Sequence, residues 1–520
     1  MSTRAAVRAP TGDGWALRWL LLLIVVTGIA RLVLAATIGL GIDESYTVAT
    51  ARTWALATFD HPPLAWWLAH GAATLSGTEA PLAVRLPFIL LSALSTYLAF
   101  DATRYLYSAR AGLFAAVALN LAPVLAWTSG SMVLPDGPLL AAMLAGLCCL
   151  ARALFGDLRA APVWWLLAGL ATGLACLSKL HGAVLLAGTG LFILTSSAHR
   201  HWLRSPWPYL AALVTLALFS PVLIWNAEHD WISFAFQAGR ARSSRLDLTG
   251  PFVALGGQAA FLLPWVWVAL MISLGRAAWA GPQRARDWLL FCLAVLPIAV
   301  FTLITLGGTR TLFHWAAPGY LFGCVLLGRD LARDLADGDR TARLWLVGSA
   351  LSLVLLFASV IALARLPWPT LTLPGGKAVP YPLIETQSWR PLHEALAERG
   401  LLSRPNTFVA GLKWHEAARI DTALARALPV RCLCTDPRGY GIVYDNRALL
   451  GQDAIVAGPA LSETDARAAL GPYFNTIERL APVEILHAGQ PLLTLNLYLG
   501  HVLRDPGIIP NLLAPLVRHF

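Results

Sequence analysis

Apolar residues in this chain come in long runs. Trp15 to Leu40 is almost unbroken Leu, Ile, Val, Ala, Thr and Gly. About 20 apolar residues cross a ~30 Å hydrocarbon layer as a helix, and runs of that kind recur to about residue 364. They predict about eleven transmembrane helices, at 16–39, 81–105, 111–128, 137–154, 162–178, 182–198, 207–225, 252–275, 288–306, 313–328 and 344–364. Connections are very short around 129–136 and 179–181. The first run is too long for a cleaved leader and lacks a small-residue cleavage site, so it reads as a retained helix. After Leu366-Pro367-Trp368-Pro369 no run reaches membrane length. Short apolar stretches at 407–412, 430–434 and 453–459 alternate with helical patterns at 414–424 and 462–470, the signature of a small α/β domain. Residues 1–366 are therefore expected to form a polytopic α-helical membrane domain, and 367–520 a separate α/β domain.

Charge refines this reading. The 520 residues are 57% hydrophobic and 13% charged, with mean hydropathy +0.62, about half the charge of a soluble domain. Arg4, Arg8 and Arg18 precede or open the first run, and Arg then recurs on every second connection, at 104/110, 152/159, 200/204, 276/284/286 and 329/333/340/343. Arginine favours the cytoplasmic side. That side then takes the N-terminus, and the outer side takes 40–80, 129–136, Lys179, 226–251, 307–312 and everything after about 365. A net charge of +10 follows from the same asymmetry and does not point to nucleic acid. Of the 7 Cys, five lie in apolar runs as small hydrophobes. Cys432 and Cys434 are spaced too tightly for an easy mutual disulfide, and no Cys/His cluster suggests zinc.

The outer connections hold the candidate chemistry. In 40–80, Tyr46–Thr58 and Leu64–Leu75 read as two helices lying on the membrane surface, with Pro62-Pro63 opening the second. Asp43 and Glu44 stand together where the first run ends. Charge near hydrocarbon is costly and tends to mark function, although helix capping by Asp43 would also place a carboxylate there. A carboxylate within hydrogen-bond reach could deprotonate a hydroxyl. Asp60-His61-Pro62-Pro63 is either a turn or a second part of the same site, with His61 facing an anion. Asp136, in Leu134-Pro135-Asp136-Gly137-Pro138, is a turn residue or a third acid on the same side. Lys179 either snorkels or meets a phosphate. Arg240, Arg242 and Arg245, with Trp231 and Phe234 as anchors, break the arginine rule and suit a lipid phosphate or general headgroup attraction; Arg310 and His314 are similar. There is no Walker loop, dinucleotide fingerprint or HExxH in a fitting context.

The chain resembles bacterial GT-C glycosyltransferases of family 39, the group of protein O-mannosyltransferases, lipid A aminoarabinose transferase and lipid A galacturonosyltransferases. The resemblance rests on DESY at 43–46, FDHPPLAWWL at 59–68, LPDGPL at 134–139, GLATGLACLSKLHGAVLL at 169–186, SPVLIWNAEHDWISFAFQAGR at 220–240 and HWAAPGYLF at 314–322. KWHEAARIDTAL and CLCTDPRGYG look like parts of the outer domain of some members. The resemblance implies a GT-C fold in a bacterial inner membrane, with site and C-terminal domain periplasmic. It implies a polyprenyl-phosphate sugar donor, a glycolipid, glycan or protein acceptor, and inversion at the anomeric carbon. Asp43 would be the general base and Glu44 would place the acceptor or tune Asp43. Asp60, His61, Asp136, Lys179, Arg240 and His314 would bind substrate. His61 departs from the lysine of the aminoarabinose transferase and is only partly charged near neutral pH, which shifts phosphate binding toward Lys179 and Arg240. Some relatives hold a divalent metal near these acids; here Asp43, Asp60 and Asp136 are the candidates that could form such a site, and whether a metal is used stays open. A carrier of lipid-linked sugar is the competing class; carriers tend to show paired halves and broken mid-membrane helices, but no such symmetry is seen and the charges gather at one face. A protein O-glycosyltransferase is a narrower alternative, and a silent scaffold sits poorly with an intact Asp43.

Overall fold

The computed structural model describes residues 13–241, 245–368, 379–459 and 461–504; Arg4, Arg8 and Arg242 lie outside them. The chain is a multi-pass helical membrane protein. Seven helices are long and apolar enough to cross a bilayer, or ten if each of three bent pairs makes one span. They include α1 (Asp13–Thr37), α4 (Pro81–Leu106), Asp136–Phe155, Ala161–Ser178, Trp207–Glu228 and Arg340–Arg365.

Of the about eleven expected helices, four bend or take other bounds. The stretch 111–128 divides into α5 (Ala109–Leu121) and a wider turn Val124–Thr128, with the two directions 86° apart. Pro123 intervenes, and proline has no N–H to continue a helix. The stretch 252–275 bends by 111° at Leu263-Pro264 for the same reason. The stretch 182–198 bends by 116°. The helix predicted at 313–328 is Ala317–Ala336, and Arg329, Asp330, Arg333 and Asp334 in its second half disqualify it as an apolar span. In the connection 40–80, α2 covers only Ile42–Thr50, and α3 covers Leu64–Ser76.

Contacts divide the chain into two compact units: 1–32, 88–223 and 241–355; and 33–87, 224–240 and 356–520. The first unit is held by helices crossing at small residues, as membrane packing requires. A Cβ on Gly328 would come within 2.4 Å of Ala115 N, so only glycine lets the helix Ala317–Ala336 lie against α5.

The second unit contains a five-stranded sheet in the order β2-β1-β3-β5-β4. β1 (Thr407–Gly411) runs parallel to β2 (Val430–Cys432) and β3 (Asp453–Gly458). β5 (Gln490–Leu503) pairs antiparallel with β3 and β4 (Phe474–His487). Helices Trp414–Leu424 and Glu463–Leu470 fall where the sequence pattern puts them. The long β4–β5 hairpin was not legible; its turn places Ala488 and Gly489 at positive φ. Cys432 and Cys434 are disulfide-bonded, contrary to the spacing argument. β2 ends at Cys432, and the turn there brings the two Cα atoms to 5.4 Å, within the range a disulfide bridges.

Gly328→Ala should destabilise the first unit by about 1–3 kcal/mol, the cost of overpacking a close crossing. A melting temperature in detergent equal to that of the wild type would show that the two helices do not meet there.

Candidate functional site

The first cluster lies in the second unit and is built around α2. Gly41 precedes the helix and its N–H donates to Glu44 Oε2 at 2.9 Å. Arg85 Nε and Nη2 donate to the two Glu44 oxygens at 2.8 and 2.6 Å. The same guanidinium donates to the carbonyls of Ile38 and Gly39, at 2.8 and 2.7 Å, and to that of Ala35. Both side chains are almost completely buried. Arg85 thus gathers the unsatisfied carbonyls at the end of α1 and the carboxylate in the first turn of α2. Asp43 is one residue earlier, about 100° round the helix, and remains exposed.

Tyr46 lies on the buried side of α2. Its hydroxyl donates to Asp60 Oδ1 at 3.3 Å and accepts the Gly439 N–H at 2.8 Å. Burial, and then the Asp60 charge, hold the phenol well above its ordinary range, so it stays protonated. A Cβ on Gly439 would stand 2.7 Å from the Tyr46 hydroxyl, so glycine is required at this approach.

Asp60 is buried, in a turn that is tied on both sides. Thr58 N–H donates to the His61 carbonyl at 3.0 Å, Ser233 Oγ donates to the Thr58 carbonyl at 2.8 Å, and Gln237 Nε2 donates to the Asp60 carbonyl at 2.6 Å. The Asp60 carboxylate faces Arg438 Nη1 at 3.8 Å. Arg438 has positive φ, and its guanidinium lies over the Trp414 ring at 3.9 Å. Arg240 lies over Phe236 at 5.5 Å, and burial followed by the Arg438 charge lowers its pKa below the usual guanidinium range. Asp43 interacts electrostatically with both Asp60 and Arg240. The His61 ring is 5.9 Å from Trp66. Burial pushes the Asp60 carboxyl from 3.8 to about 6, Arg438 opposing this and Asp43 adding to it. The cluster therefore joins a carboxyl that titrates near neutrality, an exposed carboxylate and two guanidiniums seated on aromatic faces. It can exchange a proton and hold a phosphate.

The second cluster lies in the first unit. Lys179 Nζ donates to the Asp136 oxygens at 2.9 and 3.1 Å, and both residues are buried. His314 and His181 are close enough to interact electrostatically with Asp136. His181 stacks on Phe301 at 4.7 Å. Lys179, for which the sequence left snorkelling and a phosphate both open, pairs with an acid.

Of the residues singled out in the sequence, Asp43, Glu44, Asp60, His61 and Arg240 belong to one unit, and Asp136, Lys179 and His314 to the other. Arg245 is exposed. The proposed metal ligands Asp43, Asp60 and Asp136 do not fit an ion. Asp60 faces a hydroxyl and a guanidinium, Asp136 faces an ammonium, and no group of three His, Cys, Asp or Glu suited to a metal occurs among the described residues. The sequence reading missed Arg85, Tyr46, Gln237 and Arg438. Arg85 carried a signal, being a lone arginine in the apolar run Leu82–Leu91. The Arg438 signal was the turn-forming Asp436-Pro437-Arg438-Gly439.

Residues 60–225 match the family model described as dolichyl-phosphate-mannose-protein mannosyltransferase. No curated protein matches the chain in sequence. Among solved structures, ArnT from Cupriavidus metallidurans in the apo state is similar over 93% of this chain and 98% of that one, with TM-score 0.61 and 16% identity. The same protein bound to undecaprenyl phosphate gives TM-score 0.60 and 17% identity over 92% and 98%. At that identity the likeness is one of fold.

A carboxyl with a raised pKa stabilises the fold while protonated, fully below about its unfolded value of 3.8, and this is lost as pH rises through about 6. Asp60→Asn, which cannot ionise, should gain on the wild type across that window, by up to ~3 kcal/mol for about two pKa units. A difference in melting temperature that is flat from about pH 4 to 7 would show that Asp60 does not titrate there.

Proposed function

We propose that this membrane protein is a glycosyltransferase of the GT-C kind, similar to family 39, that moves a sugar from a polyprenyl phosphate to an acceptor hydroxyl at the periplasmic face of a bacterial inner membrane. The observation that carries this reading is the cluster of Asp43, Asp60, Arg240 and Arg438, in which acids adjoin guanidiniums seated on Phe236 and Trp414. The solved neighbour with undecaprenyl phosphate bound supports a donor of that class. Residues 1–366 as the catalytic membrane part, with 367–520 as an outer domain, belong to the same proposal.

In the proposed reaction the acceptor oxygen attacks the anomeric carbon opposite the phosphate. The new C–O bond forms as the bond from carbon to phosphate oxygen breaks, so the configuration inverts. The hydroxyl proton goes to Asp43, and polyprenyl phosphate leaves with the bonding electrons. Arg240 and Arg438 meet the growing phosphate charge. Glu44, held by Arg85, sets the direction of the helix that carries Asp43. Asp136, Lys179, His181 and His314 form a second polar set available to substrate.

The test is transfer of radiolabel from polyprenyl-phosphate sugars of a bacterial membrane extract by purified protein in detergent. Asp43→Asn should lower turnover by about 10²–10⁴-fold while leaving donor binding. Label that stays on the lipid with wild type in acceptor-rich extract would favour a lipid-sugar carrier, and label on polypeptide would identify a protein acceptor. Glu44→Gln should instead destabilise the protein by about 3–5 kcal/mol, because it leaves the buried Arg85 charge unmatched. A stable Glu44→Gln with lost turnover would reassign Glu44 to the chemistry. Arg438→Gln should lower kcat and kcat/KM together, by roughly 10²–10³-fold; an unchanged kcat/KM would remove Arg438 from the donor site.

A further inference from the structure

A hollow of about 620 Å³ in the first unit is unused by this reaction. Its walls come from three places. The helix Pro264–Ala280 supplies Arg276 and Trp279, the turn after it supplies Gln283 and Arg284, and the helix Ala317–Ala336 supplies Arg329 and Arg333.

Four guanidiniums round one space repel unless something behind them holds them. Arg329 Nη1 meets Asp287 Oδ2 at 2.6 Å and its Nη2 meets Asp330 Oδ1 at 2.7 Å. Arg276 meets Asp330 at 3.2 Å, and Arg333 meets Asp334 at 2.8 Å. Asp287 and Asp330 are buried, so the surface offered to the hollow is made of arginine. Arg284 is exposed and makes no ion pair among the described residues. The set has one more cation than anion. Beside it Trp279 is 95% exposed at the end of its helix. An indole so placed suits the level of lipid headgroups, which accept both its ring and its N–H.

All four arginines lie on the connections that the alternation of basic residues assigns to the cytoplasm. Basic pockets between membrane helices on that side are suited to phosphate-bearing headgroups, and arginine matches phosphate through paired donors. We propose that this hollow binds the phosphate of an acidic phospholipid in the cytoplasmic leaflet. Held at the ends of three helix segments, the lipid would tie them together.

The experiment is native mass spectrometry of the full chain released from mixed phosphatidylglycerol and phosphatidylcholine vesicles, wild type beside Arg284→Gln/Arg333→Gln. Wild type should retain phosphatidylglycerol in preference to phosphatidylcholine, and the double variant should lose about tenfold to thirtyfold of that retention. Arg284→Gln alone, at an exposed position, carries the test if the double variant does not survive purification. Displacement of the lipid by inorganic phosphate would assign the hollow to the free anion as the source of the phosphate; no displacement would assign it to the lipid. Equal retention of the two lipids, or unchanged retention in the variants, overturns the proposal.

Discussion

The buried pair of Glu44 and Arg85 is the interaction on which the candidate site depends. Removing two charges from water costs several kcal/mol per ion, and only good geometry with further hydrogen bonds offsets it. Arg85 meets that condition with two bonds to the carboxylate and three to carbonyls at the end of α1. The result is a fixed corner. It sets the rotation of α2, which turns Tyr46 inward toward Asp60 and Gly439 and leaves Asp43 outward. Rotation of α2 by one residue would exchange the environments of the two adjacent acids.

The same rule governs the other charges that the chain holds away from water. Asp136 and Lys179 neutralise one another. Arg31 is buried without a carboxylate partner in any recorded ion pair among the described residues, and it donates to the Ala126 carbonyl and the Asn120 side chain. The two acceptors lie on either side of the point where α5 gives way to the wider turn, so the arginine links the two segments. Asp60 is the exception. Its guanidinium partner stands at 3.8 Å and a second acid lies nearby, so burial dominates and its proton becomes available near neutral pH. A group that is incompletely matched in this way is a reasonable candidate for chemistry.

Much of the two clusters was legible because charge in an apolar sequence is conspicuous. Asp43, Glu44, Asp60, Asp136 and Lys179 stand out against runs of Leu and Ala. What they bond to was not legible. Glu44 and Asp43 are adjacent and chemically alike, yet one is a buried anchor and the other exposed. Lys179 stood open between snorkelling and a phosphate, and its pairing with Asp136 was not foreseen. Arg438 lies hundreds of residues from Asp60 in an ordinary turn sequence, and no local pattern announces that it folds back onto that carboxylate.

The sequence alone determined that the chain is a multi-pass helical membrane protein with a mixed α/β segment near its C-terminus, since hydrocarbon thickness and side-chain periodicity act locally. It also determined which residue types were available for acid, base and phosphate chemistry. Tertiary structure decided where spans break, that Cys432 and Cys434 bond, and which acid is buried. These outcomes depend on neighbours brought close by folding, because burial and hydrogen-bond partners act over a few ångströms of space whatever the separation along the chain.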